Sequence, residues 1–269
     1  MFLQDNCELN KKLDRLSIID KALPKALSGG EFFLHYQPII CLKDRTIIGA
    51  EALIRWNSRD LGIVSPDEFI PRAEGLGIIV PLGEWIFRTA CFEAKEWTLI
   101  TSKPIRIGVN FSAQQMAEEN IVSFVEDALH AAKLPPGLVD IELTEHSFST
   151  DSTLVIQAIM ELKKMGITFS LDDFGTGYSS LSKLVAYPVD TLKIDQSFIA
   201  GLVKNKKAAT IVRAIAQIAQ ELELSLLAEG VENQKQIEFL YDLHCYCAQG
   251  HFFHRSMGGE DFRMLIEGK

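Results

Sequence analysis

No apolar run in this chain approaches the roughly 18 residues that a membrane span requires, so direct membrane insertion is not expected. A basic excess is also missing. The 27 Lys and Arg residues face 36 Asp and Glu residues, for a net charge of -9. That balance argues against binding DNA or RNA through a broad positive surface. It leaves open a small phosphodiester, because bound metals reverse the local field. Cysteine is scarce and odd in number at 5, and no C-x-x-C pair occurs. With no secretion signal in the polar, acidic opening Met1–Asn6, reduced thiols and a cytoplasmic location are expected. The cluster His244, Cys245, Cys247, His251 and His254 lacks the paired spacing of a zinc site and reads instead as buried thiols and surface histidines.

What the sequence does contain is a succession of short apolar runs, each closed by an acid or amide. Glu51, Asn110, Glu142, Asp172 with Asp173, and Glu229 close such runs, and Lys193 and Asp195 flank Ile194 in another. Helix-length segments at about 66–75, 82–98, 117–132, 151–164, 208–222 and 234–243 separate strand-like segments near 105–111, 138–144, 167–172, 190–194, 224–228 and 245–249. Within the fifth helical segment, Ile211, Ile215, Ile218 and Leu222 form a stripe expected to be core. Alternation of this kind predicts a mainly parallel sheet, and about eight strands close it into a barrel. The start differs. Segments 32–40 and 45–56 are joined by only Leu42-Lys43-Asp44-Arg45, which permits antiparallel pairing and no parallel crossover.

Residues 1–30 form a helical leader ahead of a single domain over 31–269. Leu13, Leu16 and Ile19 share a face, Pro24 breaks or starts a turn, and Gly29-Gly30 ends the segment. It reads either as a helix capping the barrel or as the remnant of a linker to a sensor domain.

Strand periodicity sets the side chains. Thr168, Ser170 and Asp172 share one face, Glu142 points with Thr144, and Asn110 points with Gly108. In a parallel barrel the carboxyl ends of the strands gather on one face. So many carboxylates cannot all ionise side by side without cations, so the pattern points to a metal site.

The run Glu51-Ala52-Leu53-Ile54-Arg55-Trp56 resembles the signature of the EAL-domain phosphodiesterases, which cleave cyclic di-GMP. It is preceded by Tyr36-Gln37-Pro38-Ile39. Then follow Asn110-Phe111-Ser112, Glu142-Leu143-Thr144-Glu145, the run from Asp172 to Ser180, Leu192-Lys193-Ile194-Asp195, Ala228-Glu229-Gly230-Val231-Glu232 and Gln249-Gly250, in family order over about 20–269. The resemblance implies an α/β fold, a TIM-like (β/α)8 barrel with an antiparallel first strand. It implies hydrolysis of cyclic di-GMP to linear pGpG with two divalent cations, Mg²⁺ or Mn²⁺, and inhibition by Ca²⁺; the alternatives are a catalytically silent cyclic di-GMP receptor and a protein-interaction module, against which the complete ligand set and Lys193 speak. All the implied ligands offer oxygen, which suits these hard cations over zinc.

Carried over, Glu51, Asn110, Glu142 and Asp172 would hold one cation. Asp172 would bridge to a second, held also by Asp173 and, directly or through water, by Glu229 and Gln249. Glu51, Asp172 and Lys193 form the implied catalytic set. Lys193 would assist deprotonation of water or stabilise developing charge; from residue chemistry alone, a salt bridge within the carboxylates is an equal reading. Arg55 would fork onto a phosphate or else form a salt bridge at the barrel rim. Gln37, Leu53, Asp195 and Gln249 would complete the substrate contacts. Glu145 would anchor a regulatory loop after Asp173 that couples dimerisation to metal binding, so a homodimer and a sensor domain or other regulatory partner are expected. The chain departs from the family at His251, usually aromatic, and at Ser256, usually proline.

Overall fold

The computed structural model describes residues 2–144, 152–175, 184 and 187–268. The chain opens with α1 (Phe2–Ala26), followed by the hairpin β1 (Phe32–Cys41) and β2 (Ile47–Ser58) and the short β3 (Gly62–Val64). Then come α2 (Pro66–Gly75), α3 (Ile79–Ile100), β4 (Arg106–Phe111), α4 (Ala113–Met116) and α5 (Ile121–Ala132). The next units are β5 (Val139–Thr144), α6 (Ser152–Lys164), β6 (Thr168–Phe174), β7 (Thr191–Ile194), α7 (Gln196–Gly201), α8 (Lys206–Glu221) and β8 (Ser225–Ala228). The chain ends on α9 (Gln234–Asp242), β9 (Cys247–Ala248), β10 (Met257–Gly258) and α10 (Gly259–Glu267).

The strands close a ring in the order β1-β9-β8-β7-β6-β5-β4-β2, completed by the β1–β2 pairing. The chain is therefore an eight-stranded barrel of the α/β class. β1 runs antiparallel to both β2 and β9, and the steps from β2 through β4 to β9 are parallel. The tight connection enforces this reversal. Cys41 N–H donates to Thr46 O and Arg45 N–H to Cys41 O, with Arg45 at φ 61. On β1, Phe32, Leu34, Tyr36 and Ile40 are buried against the helices, while Gln37 lies opposite Glu51 in the register and so shares its inward face. The apolar positions of β4, β5 and β6 (Ile107, Val109, Ile141, Leu143, Phe169, Leu171) are buried in the layer beneath the helices.

Four expectations need correction. Pro24 lies inside α1 instead of breaking it; burial of Ile19, Leu23 and Ala26 in the shared core outweighs the one lost backbone bond. Leu16 also packs on this core, whereas the side chain of Leu13 lies outside the described residues. The helix expected over 117–132 is shorter at its start. A capping box between Ser112 and Gln115 starts the separate single-turn α4, and α5 begins only at Ile121. Ile211 is 40% exposed, because the buried face of α8 is carried by Ala208, Ala209, Val212, Ile215, Ala216 and Ala219, while Ile218 and Leu222 are only partly buried. The last barrel strand is shorter than 245–249, with Cys245 buried just ahead of β9. Beyond these, β3, β10, α7 and α10 carry too few residues or too weak a pattern to stand out in the sequence.

Ion pairs join the leader to the barrel. Arg15 meets Glu68 at 2.6 Å and Arg72 meets Asp20, tying α1 to α2. No helix among the described residues is long and apolar enough to cross a membrane.

Candidate active site

At the carboxyl ends of the parallel strands, β2 presents Glu51, β5 presents Glu142 and β6 presents Asp172. All three are buried, and one carboxylate oxygen from each lies within 4.8 Å of the others. Asn110, exposed at the end of β4, donates from Nδ2 to Glu51 Oε1 at 2.8 Å. Gln249 Nε2 donates to Glu51 Oε2 at 2.7 Å and to Glu229 Oε1 at 3.1 Å. These contacts gather Glu51, Asn110, Glu142, Asp172, Glu229 and Gln249 at one mouth, although they come from six places along the chain.

Two backbone features make this packing possible. Gly108 sits beside Glu142, and a Cβ there would fall 2.2 Å from Glu142 Oε1. Gly250 follows Gln249 where the chain crosses Val231 so closely that a Cβ would meet Val231 N at 2.2 Å. Gln249 N–H donates to Ala228 O and Val231 N–H donates to Gln249 O, which hold the amide beside Glu229.

Lys193 stands at the centre, with no accessible surface. Its Nζ is 2.6 Å from Glu142, 2.7 Å from Glu229, 3.0 Å from Asp172 and 3.7 Å from Glu51. Burial alone would lower its pKa, but the negative field of Asp172, Glu142, Glu229 and Glu51 outweighs that and holds it well above the ordinary lysine value. The carboxylates respond to the same shortage of positive charge. Burial, reinforced by Glu51, pushes Glu142 well above the usual carboxylate range, and burial also pushes Glu229 up although Lys193 opposes it. One ammonium cannot neutralise this group.

The donor set fits hard divalent cations. Besides its convergent carboxylates, it contains the buried Gln249 Oε1, which has no hydrogen-bond donor among the described residues. An oxygen left without a donor, beside carboxylates in charge excess, is suited to a cation. The weighed zinc cluster does not converge in the same way: His244 Nδ1 lies 2.9 Å from the Tyr246 hydroxyl and Cys245 is buried.

The remaining sequence-selected residues are placed as follows. Asp173 adopts a left-handed backbone at φ 56, and the β6–β7 register shifts between Leu171 and Phe174. Strict alternation would turn Asp173 towards the helices; the break leaves it exposed at the strand end. Leu53 and Arg55 follow Glu51 on the inward face of β2 and line an adjoining cavity of about 660 Å³. Arg55 makes no ion pair among the described residues, which removes the rim salt bridge as its role there. Instead it donates from Nη1 to Ile54 O at 2.9 Å and from Nη2 to Ser256 Oγ at 3.1 Å. Asp195 caps α7, accepting from Ser197 N–H at 3.0 Å. Glu145, and the loop beyond Gly175 up to residue 183, lie outside the described residues.

Sequence reasoning passed over a polar layer under the site. Asp140 accepts from Ser170 Oγ at 2.5 Å and from Thr168 Oγ1 at 2.6 Å. Asp140 is two residues before Glu142, so the same alternation that selected Glu142 also puts it inside.

A family model for the EAL domain matches residues 20–256. The chain belongs to the EAL domain family. Among relatives of this EAL domain, it is 37% identical over 239 residues to the cyclic di-GMP phosphodiesterase NbdA of Pseudomonas aeruginosa, covering 89% of this chain and 30% of NbdA. It is 36% identical over 250 residues to the cyclic di-GMP phosphodiesterase PdeR of Escherichia coli, covering 93% of this chain and 38% of PdeR. The chain thus spans little more than a third of the length of these relatives at most. Among solved structures, the PaMucR phosphodiesterase in complex with c-di-GMP superposes with a TM-score of 0.85 at 38% identity, covering 91% of this chain and 99% of that one.

Proposed function

We propose that this EAL domain is a divalent-metal-dependent phosphodiesterase that hydrolyses cyclic di-GMP to linear pGpG. The observation that carries the reading is the buried group Glu51, Glu142 and Asp172 closed around Lys193 at the barrel mouth. Its support is the similarity to NbdA, PdeR and the c-di-GMP complex of PaMucR.

Glu51, Asn110, Glu142 and Asp172 would hold one Mg²⁺ or Mn²⁺, and Asp172, Asp173, Glu229 and Gln249 a second. Such cations, when bound, activate water and offset charge on the phosphoryl group. The protein's own residues do the rest. Arg55 has guanidinium N–H groups left after its two contacts and offers them to a phosphate oxygen. Gln37, opposite Glu51, and Leu53 would contact the substrate, and Asp195, which keeps acceptor capacity beyond its capping bond, would add to those contacts. Lys193 is held as an ammonium by carboxylates alone. Cations on the same carboxylates oppose the field that raises its pKa, which brings it towards accepting the proton of the attacking water or steadying the charge that replaces it. We also infer a homodimer, with Glu145 and the loop after Asp173 coupling its interface to the site, and control by a sensor domain or partner in the cytoplasm.

The test is turnover of cyclic di-GMP by the purified chain in Mg²⁺, Mn²⁺, Ca²⁺ or chelator, with products separated by chromatography. Conversion to pGpG in Mg²⁺ or Mn²⁺, with suppression by Ca²⁺ and by Glu51→Ala, is expected. Full hydrolysis in excess chelator would end the metal-dependent reading.

A further inference from the structure

Where β1 turns into β2, at the end of the barrel away from the mouth, two thiols meet that the hydrolytic chemistry does not use. Cys41 ends β1 and Cys247 begins β9, and the antiparallel register sets them directly opposite each other. Leu42 N–H donates to Tyr246 O at 2.8 Å, so the next pair along carries the ladder's hydrogen bonds, while Cys41 N–H turns away to Thr46 O. Cys41 and Cys247 therefore form a non-hydrogen-bonded pair. Such a pair brings its Cα atoms to about 4.5 Å with both side chains on one face, within the range that a disulfide spans. The Cys247 thiol registers its neighbour: burial first, and Cys41 second, push its pKa up, with Arg106 and Lys43 opposing.

Both thiols are half-buried, so a small oxidant reaches them. Cys247 also lines a cavity of about 240 Å³ together with His244 and Tyr246. The other described cysteines are shielded. Cys91 and Cys245 are buried, and the Cys245 thiol donates to Cys247 O at 3.5 Å. The side chain of Cys7 lies outside the described residues. The place of the pair gives it a mechanical consequence. β9 is only two residues long, and Gln249 of the carboxylate site follows it directly. A bond from Cys247 to Cys41 would tie this short strand to the ten-residue β1.

We propose that Cys41 and Cys247 are a reversible oxidation site: with a peroxide they join in an intramolecular disulfide that latches β9 to β1. The sulfur of Cys41 attacks one peroxide oxygen, the O–O bond breaks, water leaves and a sulfenic acid remains. The sulfur of Cys247 then displaces that hydroxyl as a second water and forms the S–S bond. The two thiols lose two electrons and two protons, and hydrogen peroxide is reduced to two waters. A small dithiol reverses the step by thiol–disulfide exchange. This site does not depend on the substrate assigned to the barrel mouth.

The experiment treats the full chain, carrying Cys7→Ser to remove the remaining thiol of the leader, with hydrogen peroxide. The protein is then alkylated and digested, and the peptides are mapped by mass spectrometry. The peptides holding Cys41 and Cys247 should appear joined, and dithiothreitol should separate them. Because the bond closes almost the whole chain into one loop, the oxidised protein should unfold about 5 °C or more above the reduced one. Cys41→Ser and Cys247→Ser, made singly in this background, should each abolish the joined peptide and the shift. The mapping itself needs no change at either position, so it decides the matter even where serine is poorly tolerated. Separate alkylation of Cys41 and Cys247 after peroxide, or sulfinic acid at either without a joined peptide, overturns the site. A joined peptide with an unchanged unfolding midpoint overturns the latch.

Discussion

Arg55 on β2 donates from Nη2 to the hydroxyl of Ser256, 201 positions later in the chain, at 3.1 Å. Ser256 stands immediately before β10, which pairs with β1 at His35 and Tyr36. One of the two residues at which the sequence departs from the family thus positions the guanidinium expected to meet a phosphate. Burial lowers the pKa of Arg55, with Glu51 opposing, and the group remains fully charged at any working pH. The hydroxyl therefore acts on position and not on charge. Ser256→Ala should raise KM for cyclic di-GMP by about two- to tenfold, the value of a single net hydrogen bond, with kcat nearly unchanged. Ser256→Thr should restore it. Steady-state kinetics decide the matter, and an equal loss in kcat would show that Ser256 supports the fold of the mouth instead.

Gly108 makes a sharper prediction, because space alone decides it. A methyl group at this position would overlap Glu142 Oε1 at 2.2 Å, and Glu142 is itself packed against Lys193. Gly108 lies in the inward face of β4 opposite Asp140 of β5, so the strand cannot shift without breaking its register. Gly108→Ala should displace the Glu142 carboxylate and lower turnover at least about tenfold through loss of metal affinity. The midpoint of thermal unfolding should move by only a few degrees. Titration with Mn²⁺ would reveal the change: a variant with wild-type metal affinity and turnover would show that Glu142 has room to move.

The barrel and its site were legible in the sequence to different depths. Alternation gives the direction of Glu51, Glu142 and Asp172, because a residue at a strand end has only two faces to choose from. The short connection after Leu42 likewise forces the reversed first strand. Alternation fails at Asp173, where one left-handed residue and a register shift override it. The helical stripe misled at Ile211, because the buried face of α8 is centred on Val212, Ile215 and the small alanines and leaves Ile211 at its edge. A contact such as that of Arg55 with Ser256 depends on distant elements meeting and leaves no local pattern.

The excess of buried carboxylates has a consequence for pH. Burial and Glu51 raise the pKa of Glu142 above 4.5, and Glu229 shifts the same way. Between the unfolded value and the raised folded value, the native state holds protons that the unfolded chain has released. Stability of the metal-free protein should therefore fall as pH rises through this window. Lys193, also raised, contributes in the same direction only above 10.5. Asp20, lowered by its hydrogen bond with Arg72, acts oppositely only below 3.8, and His35 and His254, lowered chiefly by burial, act oppositely up to about 6.5. Cations that replace the held protons should release them, so apparent metal affinity should rise with pH. Thermal unfolding in chelator at about pH 7 and about pH 8.5 should show the higher midpoint at the lower pH. Calorimetric Mn²⁺ binding in buffers of different ionisation enthalpy should detect proton release, and its absence would contradict the proton-holding cluster.

Lys193 carries the last and most direct test, because its surroundings make two separable demands on it. As the sole ammonium within 4.0 Å of Glu51, Glu142, Asp172 and Glu229 among the described residues, it stabilises the metal-free mouth. Removing one partner of a buried ionic group costs about 3–5 kcal/mol, so Lys193→Ala should be clearly less stable in chelator. Saturating Mg²⁺ or Mn²⁺ should recover most of that loss by supplying the missing charge. If Lys193 also acts on the proton or charge of the attacking water, metals will not rescue turnover. General acid–base assistance is typically worth about 10²–10⁴-fold, and an interaction made only in the transition state lowers kcat and kcat/KM together. The measurement pairs affinity for cyclic di-GMP in Ca²⁺ with single-turnover rates in Mg²⁺. Retained binding with turnover reduced by that factor assigns Lys193 to the chemistry. Turnover restored by metal alone assigns it to the salt bridge, and binding lost as severely as turnover makes it a support for the site.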